Sequence, residues 1–282
     1  MLPEITVDEA SFAALKGQVV LVTGSSSGIG LATVKLLLSL GAIVVAGDIN
    51  EMPLPATEQL TFQKTDTTSW ADLLALFKKA KQQHGRIDHV FANAGISTRT
   101  NYLEENLDAN GDLLEPSHQV IDINLRGTIN TATLALHYMK PERQQGGGSI
   151  VLTSSSTAIS KHGVLGTLRG MLPNIQYAGL PVRLNIVNPA WTDTGMVPAS
   201  VVESVGAKTQ PPEVVARSVA MLMTDKSRNG QAIYSAESKL YEVEEAVLQP
   251  AAREIVGSDR LDEDTIFKLL LEKMQGSYQD KV

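Results

Sequence analysis

Short apolar runs rich in β-branched residues recur along the chain, separated by longer stretches with apolar residues at helical spacing. The runs Val19–Thr23, Ile43–Asp48, Ile87–Ala92, Ser149–Ser154, Val182–Val187 and Ala232–Tyr234 predict strands, with Thr61–Lys64 as a weaker candidate. Most of their positions are apolar without strict alternation, which fits strands covered on both faces. Helical patterns fall near Ile29–Leu40, Ser69–His84, Pro116–Met139, Ala158–Leu172 and Pro212–Met223. Gly41 follows the first as a C-cap signal, and Pro211-Pro212 opens the last. Repeated β-α units of this kind predict an α/β fold with a doubly wound parallel sheet of about seven strands in three layers.

Two segments leave this rhythm. Ser97 to Glu115 is a polar loop after the strand that ends at Ala92, and loops of that length at a sheet's carboxyl end are often functional. From Lys239 onward the tail reads as helical, through Leu240, Val243 and Val247 and then Ile266, Phe267, Leu270 and Leu271. Residues 1–282 are expected to form one domain, with 239–282 as its helical extension.

Composition narrows the function. The net charge is −7, which argues against a nucleic-acid backbone as partner. Of this, Glu237 to Val282 carries −5, with 11 acidic and 6 basic residues, read as a solvated helical face. There is no long apolar run to span a membrane, and Met1 to Leu15 lacks the features of a secretory signal. With zero cysteines there is no disulfide framework, thiol nucleophile or thiolate metal site. A cytoplasmic location is the expectation, and no metal site is expected.

The candidate chemistry begins at Thr23-Gly24-Ser25-Ser26-Ser27-Gly28-Ile29-Gly30, which follows a strand and opens a helix. Glycines there let backbone approach a pyrophosphate, whose charge then sits on the helix N-terminus. The next strand ends at Asp48, 24 residues after Gly24, where a carboxylate can accept from both hydroxyls of an adenosine ribose. That carboxylate would repel a 2′-phosphate, and neither Ser27 nor Ile49 supplies a cation to receive one. The expectation is a Rossmann fold that takes NAD, with NADP disfavoured.

The spacing of this loop resembles the T-G-x-x-x-G-x-G pattern of the short-chain dehydrogenase/reductase family, and the resemblance runs from about Gln18 to Tyr234. Asp66, followed by Thr67, matches the family's acidic residue beside the adenine, although a helix-capping role for Asp66 is the plainer alternative. Asn93-Ala94-Gly95 matches its N-A-G motif. Asn124 matches a helix asparagine that orders a proton-relay water. Pro189 to Thr194, which includes Thr192, resembles P-G-x-x-x-T with Ala190 in place of glycine, a segment that holds the nicotinamide carboxamide in the family. The resemblance implies hydride transfer between NAD and a small-molecule secondary alcohol or ketone, and a homodimer or homotetramer.

It also implies a serine, a tyrosine and a lysine four residues after the tyrosine. Ser155 occupies the serine position, and Lys161, in Ser160-Lys161-His162-Gly163-Val164, that of the lysine. Four residues before Lys161 stands Thr157, an aliphatic alcohol far less acidic than a phenol. Ser155 and Lys161 are only six apart, where the family leaves roughly a dozen residues between serine and tyrosine alone. The Y-x-x-x-K motif is not intact, and such a short connection is expected to shift the helix so that Lys161 falls short of the ribose. Tyr138 and Tyr177 belong to other parts of the chain, and His162 lies about 100° around the helix from Lys161. Four readings follow: an NAD-dependent dehydrogenase or reductase; an NAD-binding pseudoenzyme or regulatory relative; a site turned to chemistry without a phenol; and a shortened version of an active parent.

Overall fold

A computed structural model describes residues 2–97, 103–144, 146–155 and 158–256, with 265–266, 269–270 and 273 of the tail. Its elements in order are β1 (Val19–Thr23), α1 (Gly28–Ser39), β2 (Ile43–Asp48), β3 (Leu60–Lys64), α2 (Trp70–His84), β4 (His89–Ala92), α3 (Gln119–Ile121), α4 (Gly127–Tyr138), β5 (Gly148–Thr153), α5 (Ile159–Tyr177), β6 (Val182–Pro189), α6 (Ala199–Glu203), α7 (Pro212–Thr224), β7 (Ala232–Ala236), β8 (Lys239–Glu242) and α8 (Gln249–Val256). The sheet order is β3-β2-β1-β4-β5-β6-β7-β8, parallel from β3 to β7. The order reverses between β1 and β4, where the loops leaving both strands diverge and open a crevice.

The unbroken apolar strands are explained by a core on each face. Val19 and Leu21 pack with Leu73, Phe77, Ala132 and Leu168 of α2, α4 and α5. Val20 and Val22, pointing the other way, pack with Val34 and Leu37 of α1 and Val215 and Val219 of α7. Alternate residues of one strand therefore serve opposite layers, and a polar residue on either side would be buried.

The sheet has eight strands, one more than the pattern predicts. Lys239–Glu242, expected to start a helical tail, instead pairs antiparallel with β7. The reversal is a two-residue turn in which Glu237 and Ser238 both take positive φ, 47° and 67°. Such turns favour Asn-Gly, so Glu-Ser carries no sequence signal for one. Tertiary contacts hold it: buried Gln210 donates from Nε2 to the Ser235 carbonyl (3.0 Å) and Oγ (2.9 Å), and its Oε1 accepts from the Ser238 amide. Helix begins only after the strand, with a π-helical turn at Glu244–Leu248 leading into α8, and residues 265–266 and 269–270 are helical as expected.

The Pro116–Met139 helix is also interrupted. A π-helical turn at Asp122–Arg126 separates α3 from α4. By contrast α5 runs beyond its expected end, through Pro173 to Tyr177. Among the described residues no helix is long and apolar enough to cross a membrane.

The buried Glu244 carboxylate ties the new edge to α5, accepting from Arg169 Nε at 2.7 Å and Nη2 at 3.0 Å. Arg169→Met would strand that carboxylate without its guanidinium. We expect a loss of about 2–4 kcal/mol in urea unfolding, below the full cost of an enclosed pair because Arg169 is half-exposed. An unchanged midpoint would show that the pair contributes nothing.

Candidate active site

Two short polar segments meet at the reversal point. Gly24, leaving β1 with φ +67°, lies so close to the strand beside it that an added Cβ would stand 2.6 Å from the Ala94 Cα. Asn93 Nδ2 donates to the Gly24 carbonyl at 3.0 Å, while Asn93 Oδ1 accepts from Thr153 Oγ1 at 3.2 Å. One amide side chain thus joins the ends of β1, β4 and β5. Gly30, a turn into α1, would drive a Cβ into the Gly24 carbonyl. Both glycines are required for packing alone, before any ligand is considered.

The helix beyond them starts open. Ser27 is the N-cap of α1 but makes no side-chain capping bond, and Leu31 donates the first helical bond, to the Ser27 carbonyl. The amides of Gly28, Ile29 and Gly30 are left without intrahelical partners, aimed out of the positive end of the helix dipole. The Ser25 hydroxyl is buried with no hydrogen-bond partner among the described residues. Asp48, ending β2 and 8% exposed, accepts from the Ser26 amide through Oδ2 and from the Asn50 amide through Oδ1, each at 2.9 Å. Each carboxylate oxygen keeps lone-pair capacity for another donor. Ile49 beside it is exposed.

Asp66 accepts at Oδ1 from the Thr68 amide and hydroxyl, both at 2.8 Å, and so shapes the turn into α2; the helix's capping side chain is Ser69, which accepts from the Asp72 amide. Thr67 is buried against Gly127, where an added Cβ would meet its hydroxyl at 2.9 Å.

On the other side of β4, Asn124 sits inside the π-helical turn and is 2% exposed. Its Oδ1 accepts from the Ile96 amide at 2.8 Å; its Nδ2 donates to the Ile96 carbonyl at 2.9 Å and to Ser160 Oγ at 3.3 Å. The extra residue of a π turn turns this amide toward the segment after Gly95 rather than along the helix.

Lys161, just after the short β5–α5 connection, is held against the end of β5. Its ammonium is buried and donates to the Thr153 carbonyl at 2.7 Å, while Ser154 Oγ donates to the Lys161 carbonyl at 2.7 Å. A Cβ added to Gly95 would come within 3.1 Å of Asn124 Oδ1 and 3.4 Å of Lys161 Nζ, so this glycine marks where the two side chains converge. Burial pushes the Lys161 ammonium down to about 8. Ser155 is half-buried at the end of β5, and Thr157 lies outside the described residues.

The segment after β6 completes the ring. Thr194 faces the glycine loop, its Cγ2 3.1 Å from where a Gly28 Cβ would be. Thr192 is buried, donating to the Ala190 carbonyl and accepting from Gln210, a residue that the sequence pattern did not single out. Pro189 ends β6, and Asn188 beside it has a buried Oδ1 with no partner among the described residues. The described tyrosines lie elsewhere: Tyr138 stacks on Phe77, Tyr177 ends α5, and Tyr234 pairs with Tyr241 across β7 and β8. Among the described residues no cluster could hold a metal ion.

This fold and this arrangement define a dinucleotide-dependent oxidoreductase, and the chain belongs to the short-chain dehydrogenase/reductase family. Residues 18–203 match the family model described as short chain dehydrogenase. The chain is 43% identical to the short-chain dehydrogenase/reductase ascJ of Acremonium egyptiacum, over 95% of this chain and 96% of that protein. It is 32% identical to the 3-oxoacyl-[acyl-carrier-protein] reductase FabG of Thermotoga maritima, over 76% and 93%. Among solved structures, levodione reductase superposes with a TM-score of 0.65 at 25% identity, covering 78% of this chain and 96% of that one. The ascJ alignment runs to 287 positions, more than 95% of 282 residues can fill. That relative therefore carries residues inside the matched span that have no counterpart here. The family's members are NAD(P)-dependent oxidoreductases acting on alcohol or carbonyl groups, and so is this protein by membership.

The cost of burying Lys161 has a sign that can be checked. Its native proton affinity lies below that of the unfolded chain, so between about pH 8 and 10.5 the unfolded state holds more protons. Stability without cofactor should rise with pH across that window and stay level below it as far as this lysine is concerned. Lys161→Met should flatten the rise and leave the cofactor-free protein up to roughly 3 kcal/mol more stable at neutral pH. Identical pH profiles for the two proteins would show that the ammonium is not confined.

Proposed function

We propose that this chain binds NAD in preference to NADP across the carboxyl ends of β1, β2 and β4 and acts as a dehydrogenase or reductase of a secondary alcohol or ketone. The observation that carries the reading is Asp48: a nearly buried carboxylate at the end of β2, fixed by the Ser26 and Asn50 amides beside the open start of α1. The local chemistry suits a dinucleotide, with unpaired amides for a diphosphate, an anion for ribose hydroxyls and an orphaned Ser25 hydroxyl. No lysine or arginine makes an ion pair with Asp48 among the described residues, although Lys64 stands opposite it in the β2–β3 register.

In this reading Gly24, Ser26, Ser27, Gly28, Ile29 and Gly30 hold the diphosphate, with Asp48 and Ile49 at the adenosine ribose. Asp66 and Thr67 flank the adenine, and Asn93, Ala94 and Gly95 form the wall between its two halves. Pro189, Thr192 and Thr194 hold the carboxamide end. Bound there, the nicotinamide supplies the hydride chemistry. Ser155 hydrogen-bonds the substrate oxygen, and Lys161, with donor capacity beyond its bond to Thr153, holds the second ribose. Asn124, clamped by Ile96, positions a water on the proton path. A homodimer or homotetramer in the cytoplasm completes the proposal.

Proton transfer is where the sequence differs from the pattern that the family resemblance implies. A phenol four residues before the lysine would be lowered from about 10 by the neighbouring ammonium, and Thr157 cannot take that role. The alternative reading is an NAD-binding protein with weak or no turnover, which shares the first one's binding site.

Both readings predict greater thermal stabilisation by NAD than by NADP, about 2.7 kcal/mol at 100 times the dissociation constant. Asp48→Ala should weaken NAD about tenfold and narrow the gap between the coenzymes. Equal stabilisation of the wild-type protein would defeat the assignment to Asp48.

NADH formation with a panel of secondary alcohols separates the two readings: measurable turnover supports the enzyme, and its absence with NAD bound supports the pseudoenzyme. Thr157→Tyr alone should not produce strong turnover, because the residues before it are missing as well. Robust activity from that single change would show that α5 already stands in catalytic register.

A further inference from the structure

About half of the exposed large apolar side chains among the described residues gather in one place. Leu103, 92% exposed, and Leu113 lie in the segment after β4; Trp191, Met196 and Val205 lie in the segment after β6; Ile159, 70% exposed, opens α5. In the sheet β4 and β6 are the two neighbours of β5. The two segments and the start of α5 therefore surround the carboxyl end of β5, where Ser155 stands. Apolar surface clustered around a polar reaction centre is the usual composition of a small-molecule mouth. Residues 106–114 of the first segment form a closed turn. Leu107 bridges Leu113, and Asp108 closes the turn between them by accepting from the amides of Asn110 and Asp112.

Carboxylates dominate the charge of this mouth. Residues 97–118 and 190–207 contain seven carboxylates, from Glu104 to Glu203, against one arginine, Arg99, which lies outside the described residues. Among the described residues, Lys208 pairs with Glu237 and Arg126 with Asp122.

Resting on the site proposed above, we infer that the mouth selects an uncharged, apolar secondary alcohol or ketone and turns away carboxylates, phosphates and other anionic substrates. Apolar side chains supply the attraction, and the excess of carboxylates imposes a penalty on a second negative charge.

The two tryptophans of the chain provide a readout that does not need turnover, since Trp191 lies in the mouth and Trp70 on α2. In the Trp70→Phe protein saturated with NADH, emission from Trp191 would be titrated with methyl 4-hydroxycyclohexanecarboxylate and with the free 4-hydroxycyclohexanecarboxylate anion. The ester should bind about tenfold more tightly at low salt, with the gap shrinking as ionic strength rises. Glu104→Lys with Glu105→Lys should bring the anion level with the ester or ahead of it, and Leu113→Asp should weaken the ester. The same titration of the wild-type protein, in which Trp70 gives a constant background, covers the case in which Trp70→Phe does not fold. Equal or tighter binding of the anion overturns the inference. So does an unchanged signal with both compounds while calorimetry shows NADH bound, which would mean that a second copy or the tail covers the mouth. Failure to bind NADH at all would instead remove the underlying proposal.

Discussion

The close approach of two backbones at the centre of the sheet sets the rest of the site. Gly24 and Ala94 come together so tightly that a single Cβ would force β1 and β4 apart, and Asn93 closes the seam by bonding to Gly24 on one side and accepting from Thr153 on the other. Because the strand order reverses here, the chain leaves β1 and β4 in opposite directions and a cleft opens above them. The open amides of α1, the Asp48 carboxylate and the Asn124 clamp are all placed by that one junction. A substitution at Gly24 or Asn93 is accordingly a change to the fold before it is a change to binding.

Two charges are then held where water is scarce, and each shows a different balance. Asp48 is satisfied by two backbone amides and still has capacity for ribose hydroxyls, so the loop can be ordered before a ligand arrives. Lys161 has only the Thr153 carbonyl among its described partners, and burial lowers its proton affinity. A half-satisfied ammonium is a cost to the empty protein, one that a dinucleotide bound as proposed would relieve.

Much of this was legible in the sequence where a local rule and the tertiary structure agree. The β-α alternation gives the parallel strands because each is buried on both faces, and the glycine loop, Asp48 and Asn93-Ala94-Gly95 sit at strand ends whose positions the apolar runs define. Three features were not legible. The β7–β8 hairpin depends on Gln210 holding a Glu-Ser turn that propensity does not favour, so the pattern there reads as helix. The π-helical turn at Asn124 depends on the Ile96 amide and carbonyl, contacts 28 residues away in the chain. The convergence of Lys161 with Asn124 at Gly95 goes with packing of Gly163 against Leu125, where an added Cβ would lie 2.6 Å from the Leu125 Cδ2, and spacing along the chain says nothing of that contact. The charged and apolar character of the mouth lies in between: its residues are plain in the sequence, but only the strand order places them around one point.

Isothermal titration calorimetry of the purified chain with oxidised and with reduced NAD bears most directly on the central claim that the junction of β1, β2 and β4 is a dinucleotide site. The account predicts saturable binding of one equivalent per chain, weakened by Asp48→Ala. No heat of association with either form, from a protein that still unfolds cooperatively, would contradict it.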